Sequence, residues 1–174
     1  MLAGSALGAA LALGCSNAEP PADTDPDVVA NQYRAMTERI NNRTGARQIS
    51  VAELRSVIDG AGRAVLIDVR APDERQVSVL PGAIAAEPEV PRVDVALLED
   101  AVVVVYCTAG HRSGLAAVAL ERRLERPVHS LDGGMIQWFN EGGAVVTPDG
   151  GRADRIHPHS DDWARFIRRR KTEP

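Results

Sequence analysis

The 174-residue sequence predicts an α/β fold: a small parallel β-sheet with helices on both faces, an N-terminal helix before it and a C-terminal tail or helix after it. Three observations carry this prediction. Short apolar runs alternate with stretches of helical spacing, the pattern of strand–helix units in a covered parallel sheet. One run, Ala101–Tyr106, holds four consecutive valines, as a strand buried on both faces requires. Cys107 follows that run directly, at the carboxyl end of a strand, where open α/β sheets bind their ligands.

Taken in order, residues 1–14 carry no charged side chain and are rich in Ala, Leu and Gly. They read as the core of a signal peptide, too short to span a bilayer. Leu11-Ala12-Leu13-Gly14-Cys15 resembles the lipobox of bacterial lipoproteins, and the resemblance implies lipidation of Cys15. An ordinary secretory peptide, or a chance apolar start on a cytoplasmic protein, is the alternative. Ser16 is not the aspartate of an inner-membrane retention signal, so the expected location is the cell envelope, as an outer-membrane-anchored lipoprotein facing the periplasm. Residues 15–27, with Pro20, Pro21 and Pro26, form an extended tether.

A helix capped by Asp27 is expected to about residue 42, with Val28, Val29, Tyr33, Met36 and Ile40 near helical spacing and Gly45 ending it. Ser50-Val51-Ala52-Glu53 is a capping box. It opens a helix to about Ile58, with Val51, Leu54, Val57 and Ile58 on one face. Residues 64–69 form a buried strand, and Pro72, Asp73 and Glu74 suit the first turn of a short helix. Pro81-Gly82 turns the chain. Residues 83–85 are a brief strand and 94–99 a helical turn. After Ala101–Tyr106 a helix is expected from about Ser113 to Glu125, with Leu115, Val118, Ala119 and Leu120 inward and Arg122, Arg123 and Arg126 outward. Pro127 stops it. Val128–Leu131 is the next strand, and Gly133-Gly134 leads into a last core helix at residues 135–140. The expected organisation is signal peptide 1–14, tether 15–27, helical extension 28–47, catalytic domain 48–145 and C-terminal extension 146–174.

Aromatic residues make up only 3% of the chain, so the core must be built from Ala, Val, Leu and Ile. A net charge of −4 argues against non-specific nucleic-acid binding, which needs a basic footprint. His157 and His159 with Asp161 and Asp162 are the one grouping that suggests a metal, and a solvated tail accounts for them more simply. No cofactor or metal is expected. Arg168, Arg169, Arg170 and Lys171 read as the soluble end of a short terminal helix carrying Trp163, Phe166 and Ile167, with contact to anionic lipid as the alternative.

The run Cys107-Thr108-Ala109-Gly110-His111-Arg112-Ser113 concentrates the chemistry. Gly110 lets the backbone curl, and successive amides in a curl make an anion-binding nest. A following helix adds its positive end, and Arg112 a permanent cation. Together they favour a Cys107 thiolate and hold an anion beside it. Cys15 lies in the export segment, so Cys107 is expected to have no disulfide partner and reads as a reactive thiol.

Ile67-Asp68-Val69-Arg70, Leu80-Pro81-Gly82-Ala83, the Cys107 run and Leu131-Asp132-Gly133-Gly134 with Trp138 together resemble a single rhodanese domain, in the order and spacing of that family. The resemblance implies sulfurtransfer through a persulfide on Cys107. A small anionic sulfur donor such as thiosulfate would be attacked, and a cyanide or thiol acceptor would take the sulfur. It implies that Thr108, Ala109, Gly110, His111, Arg112 and Ser113 surround the substrate and that Asp68 and Arg70 support the loop. His111 reads equally well as a solvated loop residue. Four residues separate Cys107 from Arg112, a shorter loop than in the phosphatases and arsenate reductases that share the fold. Three places depart from the family. Ser78-Val79-Leu80 stands where Gly-His-Ile is common, Glu74 is followed by Arg75 and Gln76 rather than an aromatic residue, and the tail past Val145 has no counterpart. A non-turnover persulfide carrier or oxyanion-binding module is the alternative function, with a phosphatase or arsenate reductase behind it. In an oxidising compartment, with no resolving cysteine, Cys107 is expected to need an external thiol reductant.

Overall fold

In the computed structural model, residues 25–60, 62–87 and 93–168 are described. The export segment, Cys15, most of the tether and the basic residues 169–171 lie outside them. The helix α1, Pro26–Thr44, begins earlier than the sequence suggests. Pro26 needs no N–H partner at a helix start, and the Asp25 carboxylate, not Asp27, accepts the first free amide, that of Asp27, at 2.9 Å. Strand β1, Arg47–Ile49, follows. Helix α2, Val51–Asp59, carries the full Ser50–Glu53 capping box. Its inward residues are Val51 and Leu54, while Ile58 is exposed.

Next come β2 (Arg63–Asp68), α3 (Pro72–Val77) and β3 (Ile84–Ala85). A 3₁₀ turn, Val95–Leu98, is capped by Asp94. Then follow β4 (Ala101–Tyr106), α4 (His111–Leu124), β5 (Val128–Leu131) and α5 (Gly134–Asn140). A two-stranded antiparallel pair, β6 (Val145–Val146) and β7 (Arg152–Ala153), and a single turn, α6 (Asp161–Ala164), are the last elements among the described residues.

Five strands form one parallel sheet in the order β1-β5-β4-β2-β3. Alternate residues of its central strands feed two cores. Val65, Ile67, Val103 and Val105 pack with Ala116, Ala117 and Leu120 of α4. Leu66, Val104 and Tyr106 pack with Tyr33 of α1, Leu54 of α2 and Ile136 and Phe139 of α5. The sheet is therefore covered on both sides, which is why the valine run shows no polar alternation. Each fully buried valine is worth roughly 1.5–3 kcal/mol before entropy is counted.

Three sequence expectations change here. The inward face of α4 is Ser113, Gly114, Ala116, Ala117 and Leu120, whereas Leu115 is 52% exposed, Ala119 is exposed too and Val118 is half-buried. Small residues face inward because α4 lies close against the sheet and against α1. Arg126 turns back to donate to the carbonyls of Leu98 and Ala101 at 2.5 and 2.6 Å. Residues 146–168 are anchored to the core, although His159, Asp161 and Asp162 stay exposed as a solvated stretch would have them. Ala153, Ile156 and Phe166 are buried in the core with Tyr33, and Phe166 and Trp163 stack with that ring at 5.1 and 6.3 Å. Asn140 ties the segment down by donating to Phe166 O and accepting from the Arg168 amide, both at 2.8 Å. Among the described residues no helix is long and apolar enough to cross a membrane.

Candidate active site

Cys107 sits one residue past β4, at the carboxyl edge of the sheet. It is buried and free. The Gly110 amide donates to its Sγ at 3.2 Å, and the Ser113 hydroxyl lies 3.5 Å from the sulfur. Gly110 has φ +107°, a left-handed value that a side chain resists. That curl turns its N–H toward the sulfur and starts α4 at His111, two residues earlier than expected. The sulfur therefore faces the positive end of a fourteen-residue helix.

Ser113 is held in place on two sides. It donates to Gly110 O at 3.1 Å and shares a 2.9 Å hydrogen bond with the Ser130 hydroxyl of β5. Ser130, fully buried, has no motif that would mark it in the sequence. The other side of the loop rests on α5. Amides of Met135 and Ile136 donate to the carbonyls of Cys107 and Thr108 at 2.8 and 3.1 Å. Gly134 makes this approach possible. A methyl there would overlap Cys107 O and stand 2.8 Å from Thr108 O.

Arg112 has a partner that the sequence did not reveal. Its guanidinium grips both oxygens of Glu74, at 2.5 and 2.8 Å. Thr108 Oγ1 donates to the same carboxylate at 2.5 Å, and the Ala71 amide at 3.0 Å. Burial works against the charge on Glu74, but the hydrogen bonds from Arg112, Thr108 and Ala71 outweigh it and lower its pKa to about 2. Burial likewise opposes the charge on Arg112, and Glu74 together with the neighbouring Cys107 raises its pKa. Glu74 is thus the clamp that sets the arginine and the threonine of the loop. The one signal for it was its place at the start of a short helix directly after Asp68-Val69-Arg70.

Ala109 is buried in the loop, and His111 is exposed at the first position of α4. Asp68 and Arg70 lie apart from the sulfur. They form a buried fork, with Arg70 Nη2 2.7 Å from Asp68 Oδ2 and donating to Ser78 O at 2.6 Å. The Tyr106 hydroxyl donates to Asp68 at 2.6 Å and accepts from the Leu80 amide at 3.1 Å. This network ties β2, β4 and the Leu80 turn beneath the loop. Burial, reinforced by Asp68, raises the Tyr106 pKa well above its ordinary value. The Arg70 pKa is also raised: burial opposes its charge, and Asp68 more than restores it.

The C-terminal segment also reaches the site. His159 Nδ1 lies 3.6 Å from Glu74 Oε2. Among the described residues no group of three His, Cys, Asp or Glu side chains could hold a metal, and His157 and His159 are engaged otherwise, His157 accepting from the His159 amide at 3.0 Å. A separate cleft of about 370 Å³ opens beside α1 and α5, bounded by Tyr33, Thr37, Ser50, Asp132 and Gln137. Cys107 does not line it.

Comparison with known proteins agrees with this geometry. Residues 50–141 match the family described as Rhodanese-like domain. A sulfurtransferase of Allochromatium vinosum is 31% identical over 87 residues, which is 49% of this chain and 81% of that protein. A Rhodopseudomonas palustris protein of unknown function, a possible tyrosine phosphatase, superposes with a TM-score of 0.50 at 26% identity, over 64% of this chain and 91% of its own. The thiosulfate sulfurtransferase of Pseudomonas aeruginosa shares the fold, with a TM-score of 0.53 at 23% identity over 76% of this chain and 26% of the larger protein. With just over half of its residues matched and the Cys107 loop inside that stretch, the chain belongs to the rhodanese-like domain family.

Proposed function

We propose that the protein is a sulfurtransferase that moves sulfane sulfur from thiosulfate or a similar anionic donor to cyanide or a thiol, through a persulfide on Cys107. The observation that carries this reading is the Gly110 amide aimed at Cys107 Sγ from the start of α4. Family membership and the sulfurtransferase relative support a sulfur-transfer role in general.

In the first half-reaction the Cys107 thiolate attacks the outer sulfur of thiosulfate. A new S–S bond forms, the bond to the sulfonate sulfur breaks, and sulfite leaves with that electron pair. The persulfide anion remains beside the Gly110 amide and the end of α4, which stabilise negative charge. Arg112, a quarter exposed beside its Glu74 clamp, supports charge on the donor. In the second half-reaction cyanide attacks the terminal sulfur, thiocyanate departs and the Cys107 thiolate returns. No net oxidant is needed.

Mass spectrometry of the thiosulfate-treated protein should show one added sulfur on the Cys107 peptide, and cyanide should then release thiocyanate. Cys107→Ser should lose both signals, and activity surviving in that variant would remove Cys107 from the mechanism. Persulfide without thiocyanate would favour a carrier role, and vigorous hydrolysis of an aryl phosphate would favour a phosphatase. The shorter loop supports the sulfur reading over the phosphatase one.

The envelope location is part of the same reading. Cys15 as a lipidated residue predicts labelling by a fatty-acid analogue in cells, lost in Cys15→Ala. A label that persists in that variant would refute it. In that compartment Cys107 should need a thiol reductant for sustained turnover, and full activity without one would count against this.

A further inference from the structure

The helix α1 lies outside the segment that matches the family, yet it packs on both loops that flank Cys107. On the β4–α4 side, a methyl group built on Gly110 would meet Ile40 Cγ2 at 3.7 Å and Asn41 Oδ1 at 3.9 Å. One turn further along α4, Thr44 packs directly on Gly114, leaving no room there for a side chain. On the β5–α5 side, Asn41 donates to Asp132 at 2.8 Å and the Tyr33 hydroxyl donates to Gly133 O at 2.5 Å. The helix is thus pinned across the carboxyl edge of the sheet at four points, one of them the Cα of Gly110, the residue whose amide holds the sulfur.

The loop under this helix is closed to solvent on its other sides as well, with Cys107 packed among Val105, Ala116 and Ala117. Every residue from Cys107 to Gly110 is buried, and Cys107 retains only 2% of its surface. A thiol that must accept and deliver sulfur from this position has a narrow approach. Tyr33 is near enough to Cys107 that, after burial, a charge on that sulfur raises the tyrosine's pKa further.

We infer that α1 is the wall that limits access to Cys107, with Ile40 and Asn41 as specificity-determining residues, so that the site takes small anionic donors and small acceptors and excludes protein-borne thiols. This rests on the sulfurtransferase reading for its substrates, but the wall itself does not.

The test uses the full chain and reads the Cys107 peptide by mass spectrometry. Alkylation by iodoacetamide is compared with alkylation by a bulky fluorescein iodoacetamide, each normalised to its rate on the same protein in urea. In the folded wild type the bulky reagent should lag the small one by about tenfold or more, the equivalent of one decade in barrier. Ile40→Ala should close most of that gap while leaving the iodoacetamide rate unchanged. Asn41→Ala should close part of it, and Ile40→Val should restore the barrier. Val29→Ala, on the same helix but three turns away, should leave the ratio at the wild-type value. If both reagents label the wild type equally, or Ile40→Ala leaves the ratio unaltered with its circular dichroism intact, the wall is disproved. Should Ile40→Ala unfold, Asn41→Ala and Ile40→Val carry the comparison.

Labelling requires no sulfur donor, so it separates the two claims. A ratio that shifts as expected in a protein releasing no thiocyanate would keep the wall and end the sulfurtransferase reading. In turnover, sulfur should pass from the Cys107 persulfide to cyanide or reduced glutathione at least about tenfold faster than to a reduced protein thiol, with Ile40→Ala narrowing the difference. Equal transfer to both acceptors in the wild type would overturn the proposal.

Discussion

Replacing Glu74 with glutamine removes one charge and keeps the shape, which isolates what the clamp contributes. The carboxylate is almost wholly buried and is held by Arg112, Thr108 and the Ala71 amide. Its pKa falls from 4.5 to about 2. A displacement of that size corresponds to about 3 kcal/mol favouring the charged, folded form. Removing one partner of a buried ion pair costs ~3–5 kcal/mol. Arg112 keeps 25% exposure, and glutamine retains an acceptor oxygen, so the lower end applies. Glu74→Gln should therefore lose about 3 kcal/mol at pH 7, or roughly 6–12 °C in Tm. The folded-state pKa is depressed, so this contribution is complete above the unfolded value and disappears as pH falls through about 2. Urea unfolding at pH 7, 4 and 2.5, followed by circular dichroism and tryptophan fluorescence, should show the two proteins converging as acid is added. A difference below about 1 kcal/mol at neutral pH, or one that does not shrink in acid, would refute the clamp.

Gly134→Ala should cost on the order of 3 kcal/mol and most of the turnover, because its methyl overlaps the Cys107 carbonyl at a backbone φ of +55°. Near-wild-type kcat and Tm together would show that α5 does not support the loop. Tyr106→Phe removes a donor to Asp68 and an acceptor for the Leu80 amide, and a lower urea midpoint equivalent to ~1–3 kcal/mol is expected. An unchanged midpoint would show the network is dispensable. Phe166→Ala should destabilise by ~3–5 kcal/mol through its lost packing on Tyr33, and no effect in thermal melts would restore the picture of a solvated tail.

Much of the framework was legible because it obeys local rules. The Ser50–Glu53 box, the valine run, Pro127 and the glycine pair before Met135 each announce an element by chemistry acting over a few residues. What escaped did so for physical reasons. Strand β1 is three residues long and begins with the polar Arg47 and Gln48, so it has no pattern of its own and exists by pairing with β5. The pair β6–β7 has two residues per strand and relies on Val79 bridging to Val146. Leu115 was placed inward by hydrophobicity, yet the sheet and Thr44 select the small residues beside it for the close face. The candidate nucleophile and its loop were readable as a run of seven neighbours, whereas Ser130 and Glu74 join it from other elements.

Sequence alone determined the central strands β2, β4 and β5, the helices between them, the candidate nucleophile and the glycine that curls its loop, since periodicity, capping and backbone freedom act between near neighbours. Only the tertiary structure decided that Arg112 is held by Glu74, that α1 lies over Gly110 and that the last described segment reaches Glu74 through His159. Those contacts join residues tens of positions apart, and they arise because a covered parallel sheet brings its loops to one edge, where any segment long enough to return can pack against them.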